Sequence, residues 1–456
     1  VSLLFHQDKQ KSLFLHDVGV GKTWISLVSA LISDKKRVLI VCPNSAVYTW
    51  TEQIETHTNE DYTILHHYDK DKRKELLQSN TRFLILNYEG LQTLFSFRRP
   101  VLDETGKEIE KERLPSIHTI LKQNFDMLII DESHNVKNKD AFQTLCLREI
   151  AKSVPEIIML TATPTSKSLL DLWAQLWILD GGATLGHNYW HFRSKYFKKS
   201  DFNWRIKKGS EEKIFKLLDN RCLRYSRSEC LDIPRESYQT RRVKLSTEQE
   251  TKLQACIKDY QSRIASGEIN AGNVMKKTMN IARILNGFEK DEDGKIKYLK
   301  SNPKMDALID WIFECGEEQI IVYHTFIIEG RMIEKVLKKN NITFSSVRGE
   351  IKDKTSQLNA FREGKTQVLV AHPKSGGESL NLQMGSVLFF YSILRLGIIK
   401  RKQCIGRIVR NGQTKHCLIG DIIIEDSEDE LNLLNLEDDA KLAERLLKYI
   451  QNKKIS

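Results

Sequence analysis

Cysteine pairs, long apolar runs and repeats are what this 456-residue chain lacks. Its eight cysteines (Cys42, Cys146, Cys222, Cys230, Cys256, Cys315, Cys404, Cys417) are scattered, and none forms a CxxC pair. That excludes a zinc framework and a disulfide scaffold, and it points to reduced thiols in a cytoplasmic setting. No apolar run reaches the roughly 18 residues that a membrane helix needs, so no membrane span is expected. The chain opens on Val1 without a charged and then apolar leader. No secretory signal is therefore expected, and the missing Met suggests that a few native N-terminal residues are absent. No short-period repeat or low-complexity tract is present.

What is there is enough for more than one core. Apolar residues make up 40% of the chain, and a chain of this length exceeds what one core usually serves. Short β-branched runs alternate with helical spacing, as in parallel sheets with crossover helices. The first set of expected strands is Ser12–His16, Arg37–Cys42, Arg82–Asn87, Met127–Asp131 and Glu156–Thr161. The second is Gln319–Thr325, Thr343–Val347, Gln367–Ala371, Ser386–Tyr391 and Cys417–Ile424. The expected fold is α/β, with two lobes built on central parallel sheets flanked by helices. Expected boundaries are 1–180 for the first lobe, 181–245 for a basic, mostly helical linker, and 246–456 for the second lobe. Thr105-Gly106 predicts an inserted hairpin at about 97–116, and Asp293-Gly294 a second one over Phe288–Leu299.

Charge is uneven. The net charge is +11, and His191 to Leu245 holds 16 Lys+Arg against 7 Asp+Glu. Phe192, Tyr196, Phe197, Phe202 and Trp204 interleave those cations. Cations suit phosphates and flat rings suit bases, so this stretch is expected to be a nucleic-acid surface rather than a solvated linker. Glu425 to Asp439 holds eight acids and no base; it reads as a solvated loop and helix start.

Asp17-Val18-Gly19-Val20-Gly21-Lys22-Thr23 follows a strand and opens an amphipathic helix. That is the context of a phosphate loop. Glycines let backbone N–H groups turn towards phosphates at a helix N-terminus. Lys22 is expected on the β- and γ-phosphates and Thr23 on Mg²⁺. Ile129-Ile130-Asp131-Glu132-Ser133-His134 ends an apolar strand in two acids. Asp131 is expected to hold Mg²⁺ and Glu132 to orient and deprotonate the attacking water. Thr161 and Thr163, in Thr161-Ala162-Thr163-Pro164, are expected to relay γ-phosphate state. Gln7 is placed to bind adenine. Arg407 and Arg410, three apart and so on one helix face, are candidates for charge stabilisation at the γ-phosphate, with Gln403 beside them.

Together these residues resemble the superfamily 2 helicases, most closely their Swi2/Snf2-like branch. Leu39 to Pro43 with Trp50 is similar to motif Ia, and Asn87-Tyr88-Glu89 to the motif after it. Asp131 to His134 with Lys137-Asn138 resembles a DEAH box, and Leu160 to Pro164 motif III. Arg224 and Arg227 followed by Ile233-Pro234 resemble the stretch that links the lobes. Ile321 to His324 resembles motif IV, Gly376 to Leu382 motif V, and Gln403 to Gln413 motif VI. Ser133 stands where Ala is usual and Ala162 where Gly is common, and the Asp-x-x-Trp-Asn-Pro stretch before motif VI is missing. The compact layout looks like bacteriophage versions of the family.

The resemblance implies two RecA-like lobes binding ATP between them, a closure that depends on ATP, and movement on DNA with little base specificity. Expected nucleic-acid contacts are Pro43, Ser45, Asn87, Tyr88, Thr325, Lys374, Ser375 and Gly376. It further implies unwinding of forked DNA and branch migration by a monomer, in the host cytoplasm if phage-encoded. A duplex translocase that displaces proteins, an RNA helicase and a non-motor ATP switch are the competing readings. The 97–116 hairpin is the candidate strand-separating wedge.

Overall fold

In the computed structural model, two sets of parallel strands form where the two series of β-branched runs lie. The structure describes all residues except 66–71, 73–74, 92–94, 98–114, 118–123, 201–202, 267–270, 292, 374–381, 394–395 and 454–456. The chain divides into two compact units, Val1–Leu231 with Ala440–Ser456, and Asp232–Asp439.

The first unit opens with α1 (Ser2–Lys9), β1 (Lys11–Phe14), α2 (Lys22–Ile32), β2 (Val38–Cys42), α3 (Val47–His57), β3 (Tyr62–Ile64) and β4 (Phe83–Asn87). After the short strands β5 (Phe95–Phe97) and β6 (Pro115–Ile117) come β7 (Met127–Asp131), α4 (Phe142–Ala151), β8 (Glu156–Leu160) and α5 (Asp171–Asp180). Next are α6 (Tyr189–Tyr196), β9 (Phe197–Ser200), β10 (Asn203–Ile206), α7 (Ser210–Leu218) and β11 (Cys222–Leu223).

Seven strands lie in the order β11-β1-β8-β7-β2-β4-β3, and every pairing is parallel. Helices must then cover both faces, so the strands are continuous apolar runs. Alternation along β2 sends Leu39 and Val41 into one core and Val38, Ile40 and Cys42 into the other, as period-2 geometry requires.

The second unit contains β12 (Glu236–Val243), α8 (Thr247–Ala265), α9 (Ala271–Leu285), β13 (Phe288–Lys290), β14 (Ile296–Tyr298), α10 (Pro303–Glu314) and β15 (Ile320–Tyr323). It continues with α11 (Ile327–Lys339), β16 (Phe344–Val347), α12 (Lys354–Arg362), β17 (Val368–Ala371), β18 (Val387–Phe390), α13 (Gly397–Ile405) and β19 (Cys417–Ile424). Its sheet order is β12-β19-β18-β15-β17-β16, again parallel throughout. The last helix, α14, runs Glu428–Lys453. Each unit is RecA-like: a parallel sheet with crossover helices. No described helix is long and apolar enough to cross a membrane.

Several expectations need correction. The stretch 181–245 is not a linker. Phe192, Tyr196, Phe197, Ile214, Phe215, Leu218 and Cys222 all enter the first core, and β11 pairs with β1. Spacing explains this: Phe192 and Tyr196, like Ile214 and Leu218, lie four apart on one helix face, while Lys195, Lys198, Lys199, Arg205 and Lys208 are exposed. A charge count is blind to that periodicity.

The expected base-stacking aromatics are thereby lost, because Phe192, Tyr196 and Phe197 are buried; Trp204 packs partly buried against the core, and Phe202 lies outside the described residues. The end of the stretch belongs to the second unit, where β12 pairs with β19 over eight residues. The second lobe therefore begins before 246. It also ends before 456, since Leu446, Leu447 and Ile450 of α14 pack in the first core.

Within Glu425–Asp439 one acid is not solvated. Asp429 is buried and pairs with buried Lys304 at 2.7 Å. The second expected hairpin has paired arms, β13 with β14; at the edges of the first, β5 pairs with β6. The body of the first, 98–114, lies outside the described residues.

Candidate functional site

Parallel strands bring their carboxyl ends to one edge of a sheet, where ligands of open α/β sheets bind. In the first unit β1, β8 and β7 are adjacent, so the loop after β1, Thr161 after β8 and Asp131 at the end of β7 share that edge. The sequence alone places these three segments some 140 residues apart from first to last; strand order makes them neighbours.

The loop after β1 turns on Gly19 (φ 88°) and Gly21 (φ 73°). A Cβ on Gly21 would meet nothing within 4 Å, so the left-handed backbone, not space, calls for glycine there. Gly21 caps α2, whose first residue is Lys22. Lys22 Nζ donates to the carbonyls of His16 and Asp17, both at 3.0 Å. Burial pulls its pKa down, while Glu132, Asp131 and Asp17 push it up. The acid pair is therefore close enough to act on this ammonium.

His16, in place of the usual glycine, is fully buried. It accepts from Tyr225 N at 3.1 Å and stacks on Phe14 with centroids 5.0 Å apart. Asp17 was expected to bind the nucleotide. Its carboxylate is instead engaged by Arg224 Nη1 at 3.2 Å and by Arg227 N at 3.0 Å. These contacts clamp the loop to the segment after β11, so Asp17 shapes the loop from within the protein.

Asp131 is held at both oxygens. Trp50 Nε1 donates to Oδ2 at 3.0 Å, and Glu132 N to Oδ1 at 2.9 Å. Burial first, and then Glu132, raise its pKa to about 6. Glu132 sits in the left-handed region, φ 50°, a conformation uncommon outside glycine. Its carboxylate meets His134 Nδ1 at 3.1 Å, and the same nitrogen lies 3.3 Å from Thr161 Oγ1. Thr161 Oγ1 in turn accepts from Thr163 N at 3.1 Å. A polar chain thus joins Glu132 to the buried threonine loop.

Gln175, which the sequence reading missed, makes a second link. It accepts from Ser133 Oγ at 2.9 Å and donates to Pro164 O at 2.7 Å. A Gln on an otherwise apolar helix face was the available signal. Thr23 is partly exposed at the start of α2, and Gln7 is exposed on α1.

The expected nucleic-acid contacts divide. Pro43 and Ser45 are partly exposed on the loop before α3. Asn87 and Tyr88 are buried and hydrogen-bonded within the protein. Asn87 accepts from Gly90 N and donates to Asn44. Tyr88 OH donates to Asp131 O at 2.6 Å. In the second unit Thr325 N donates to Ser392 Oγ at 2.8 Å and to Glu329 at 2.9 Å. Lys374, Ser375 and Gly376 lie outside the described residues.

Arg407 and Arg410 do not lie on a helix face as expected. α13 ends at Ile405, and both arginines follow in turns that precede Gly412 (φ 89°). Each is partly exposed, as is Gln403 within α13. Burial and Arg407 lower the pKa of Arg410. Gln413 fixes this segment, donating to the carbonyls of Gln383 and Gly385.

Among the described residues no three His, Cys, Asp or Glu side chains cluster as a metal cage. Mg²⁺ does not ask for one, since it commonly binds one or two carboxylates together with nucleotide phosphates.

Comparison with known proteins agrees with this arrangement. Residues 1–293 match the SNF2-related domain and residues 303–412 the helicase conserved C-terminal domain. Protein p41 of Acyrthosiphon pisum secondary endosymbiont phage 1 is 28% identical over 347 residues, 72% of this chain and 73% of that protein. The ATP-dependent helicase YqhH of Bacillus subtilis is 23% identical over 96% of this chain and 76% of its own length. The Hef helicase domain of Pyrococcus furiosus shares the fold, with a TM-score of 0.54 and 16% identity over 95% of this chain and 97% of that one. With a phosphate loop and an acid pair on one sheet edge, the chain belongs to the SNF2-related helicase family and is an ATP-hydrolysing enzyme.

Proposed function

We propose that this enzyme is a DNA motor that unwinds forked DNA and drives branch migration in replication, recombination or repair. The observation that carries the ATP half is the convergence of Lys22 with Asp131 and Glu132 at one sheet edge. The donor set there fits Mg²⁺–ATP: turned glycine amides, one cation and two carboxylates. Mg²⁺, when bound, would neutralise phosphate charge. Thr23 and Asp131 would hold it. Lys22 would leave its two backbone carbonyls for the β- and γ-phosphates. Glu132 would take a proton from the attacking water at its carboxylate, with His134 keeping that carboxylate in place. Gln403, Arg407 and Arg410 are assigned to the same nucleotide from the second unit, the arginines as cations for transition-state charge. Gln7 is assigned to adenine, and Gly19 and Gly21 to the phosphates through their amides. Thr161 and Thr163 relay phosphate state through His134. Pro43, Ser45, Thr325, Lys374, Ser375 and Gly376 are assigned to the nucleic-acid backbone, and the working form is a monomer in the cytoplasm.

Two experiments test this. ATPase rates with single-stranded, duplex, forked and RNA ligands should rise with DNA and be lost in Lys22→Ala. A rate indifferent to every nucleic acid rejects the motor. Forked and four-way substrates, run beside a protein-displacement assay, then separate strand unwinding from a duplex translocase that strips proteins. That second reading is favoured by a relative 21% identical over 88% of this chain, RapA of Pasteurella multocida, described as RNA polymerase-associated.

A further inference from the structure

Among the described aromatic residues (Phe, Tyr and Trp) of the basic α6–β9–β10 segment, one is exposed. Trp190 is 57% exposed at the start of α6. Its backbone N–H is pinned by Asn188 Oδ1 at 2.8 Å, so the ring stands on a fixed helix start. Two cations flank it. Lys139 Nζ lies 5.0 Å from the Trp190 ring centre, and the Arg193 guanidinium carbon lies 4.4 Å from it. Arg193 is also 3.9 Å from Trp204, which sets it between two indoles. Lys139 sits eight positions after Asp131, on the chain that runs on from the acid pair.

The surroundings are of one sign. Residues 187–208 carry seven Lys+Arg and a single acid, Asp201. Lys195, Lys198, Lys199, Arg205 and Lys208 are exposed. Lys139 does have a counter-ion, Asp140, at 2.7 Å, but that pair is mostly exposed on the acid's side and is readily exchanged in water.

We propose that the Trp190 face of α6, with Lys139 and Arg193 beside it, is a stacking site for an unpaired base of single-stranded DNA. This rests on the DNA-motor reading and deepens it. The cluster has an internal role too, since Tyr189 packs edge-on against Trp173 at 5.4 Å. That role needs no exposed indole. An indole face between cations matches what a nucleotide offers, a π-face and a phosphate. A duplex hides its base faces in the stack, so it would meet the cations alone. The site therefore selects for strand over duplex without reading sequence.

The test is equilibrium binding by fluorescence anisotropy, at one fixed salt concentration, of a labelled thymidine oligonucleotide and of a blunt duplex of equal length. The full chain is compared as wild type, Trp190→Ala and Trp190→Tyr. Trp190 is exposed, so thermal melts of the variants should overlay the wild type. Losing one stacked base should weaken strand binding by about tenfold in Trp190→Ala. Trp190→Tyr should recover most of it, and duplex affinity should change less than about twofold, far below a lost stacking contact. Unchanged strand affinity in Trp190→Ala overturns the site. So does an equal loss on the duplex, or competition by polyglutamate as effective as by the oligonucleotide, which would make the surface one for acidic protein. A wild type that binds no DNA and whose ATPase ignores it fails differently, because then the motor reading itself is gone.

Discussion

Glu329 and His324 both bond to the backbone of Phe326 in the second unit, the carboxylate at its N–H and the imidazole at its carbonyl, each at 2.9 Å, and their pKa values shift in opposite senses. Burial raises the Glu329 carboxyl to about 7, although it accepts from Ser392 Oγ at 2.6 Å and from the N–H groups of Thr325 and Phe326. Burial pushes His324 down to about 3. A raised carboxyl means that the folded state keeps its proton longer than the unfolded one. Its contribution is full below about 4.5 and is lost as pH rises towards 7. A depressed imidazole does the reverse, losing stability as pH falls below about 6.5. Between these limits the two slopes oppose. Glu329→Gln removes the carboxyl's slope and leaves that of every other group, Asp131 included, in place. Denaturant titrations at pH 5 and 6 should then show the stability of the variant relative to the wild type rising by roughly 1.4 kcal/mol per pH unit; a difference that does not change with pH would disprove the raised carboxyl.

The buried pair of Lys304 and Asp429 is the second residue-scale case. Both side chains are nearly inaccessible, 0% and 3% exposed. Removing one partner strands a charge in an apolar core, at a cost of about 3–5 kcal/mol. Asp429→Ala should show that loss in chemical denaturation, whereas replacing both partners with apolar residues should cost far less. A double variant as unstable as the single one would contradict this account.

At the scale of elements, α14 and the inserted hairpin matter most. The last turns of α14 put Leu446, Leu447 and Ile450 into the first core. Each is a large buried side chain, and Leu446→Ala should cost about 2–5 kcal/mol, measured as a shift of the denaturation midpoint. A change under about 1 kcal/mol, the usual surface value, would mean that the helix end packs loosely. The hairpin whose arms are β5 and β6 is the candidate wedge. Deleting Val101–Arg113 is expected to abolish unwinding of forked DNA and to spare DNA-stimulated ATPase. Unwinding that survives the deletion removes the wedge from the mechanism.

For the whole molecule, charge sets the expectation. A net charge of +11 predicts binding dominated by phosphate contacts and counterion release. The DNA concentration that half-saturates ATPase should rise steeply between 50 and 200 mM salt, on the order of a hundredfold or more for several contacts. It should differ little between unrelated sequences of one length. A half-saturation point that ignores salt would count against a phosphate-tracking surface.

At this same scale lies the division between what was legible early and what was not. The sequence by itself determined the local chemistry. Strand periodicity marked ten of the parallel strands, and the glycine-lysine-threonine and twin-acid strings marked the candidate ATP site. Both signals are short-range, because they depend on alternation and on turns. Strands β3, β11 and β12 escaped notice because Tyr62–Ile64 and Cys222–Leu223 are too short and Glu236–Val243 too polar to show a pattern. Only the tertiary structure decided which groups are spent internally. Asp17, Asn87 and Tyr88 have the right chemistry for ligands, yet each is engaged by residues far away in sequence. Only packing decided that Phe192 and Tyr196 face a core while Trp190 faces water. The physical reason is common to all of these cases. Residue type limits what a side chain can do, but burial and hydrogen-bond partners, set by long-range contacts, decide which of those things it does.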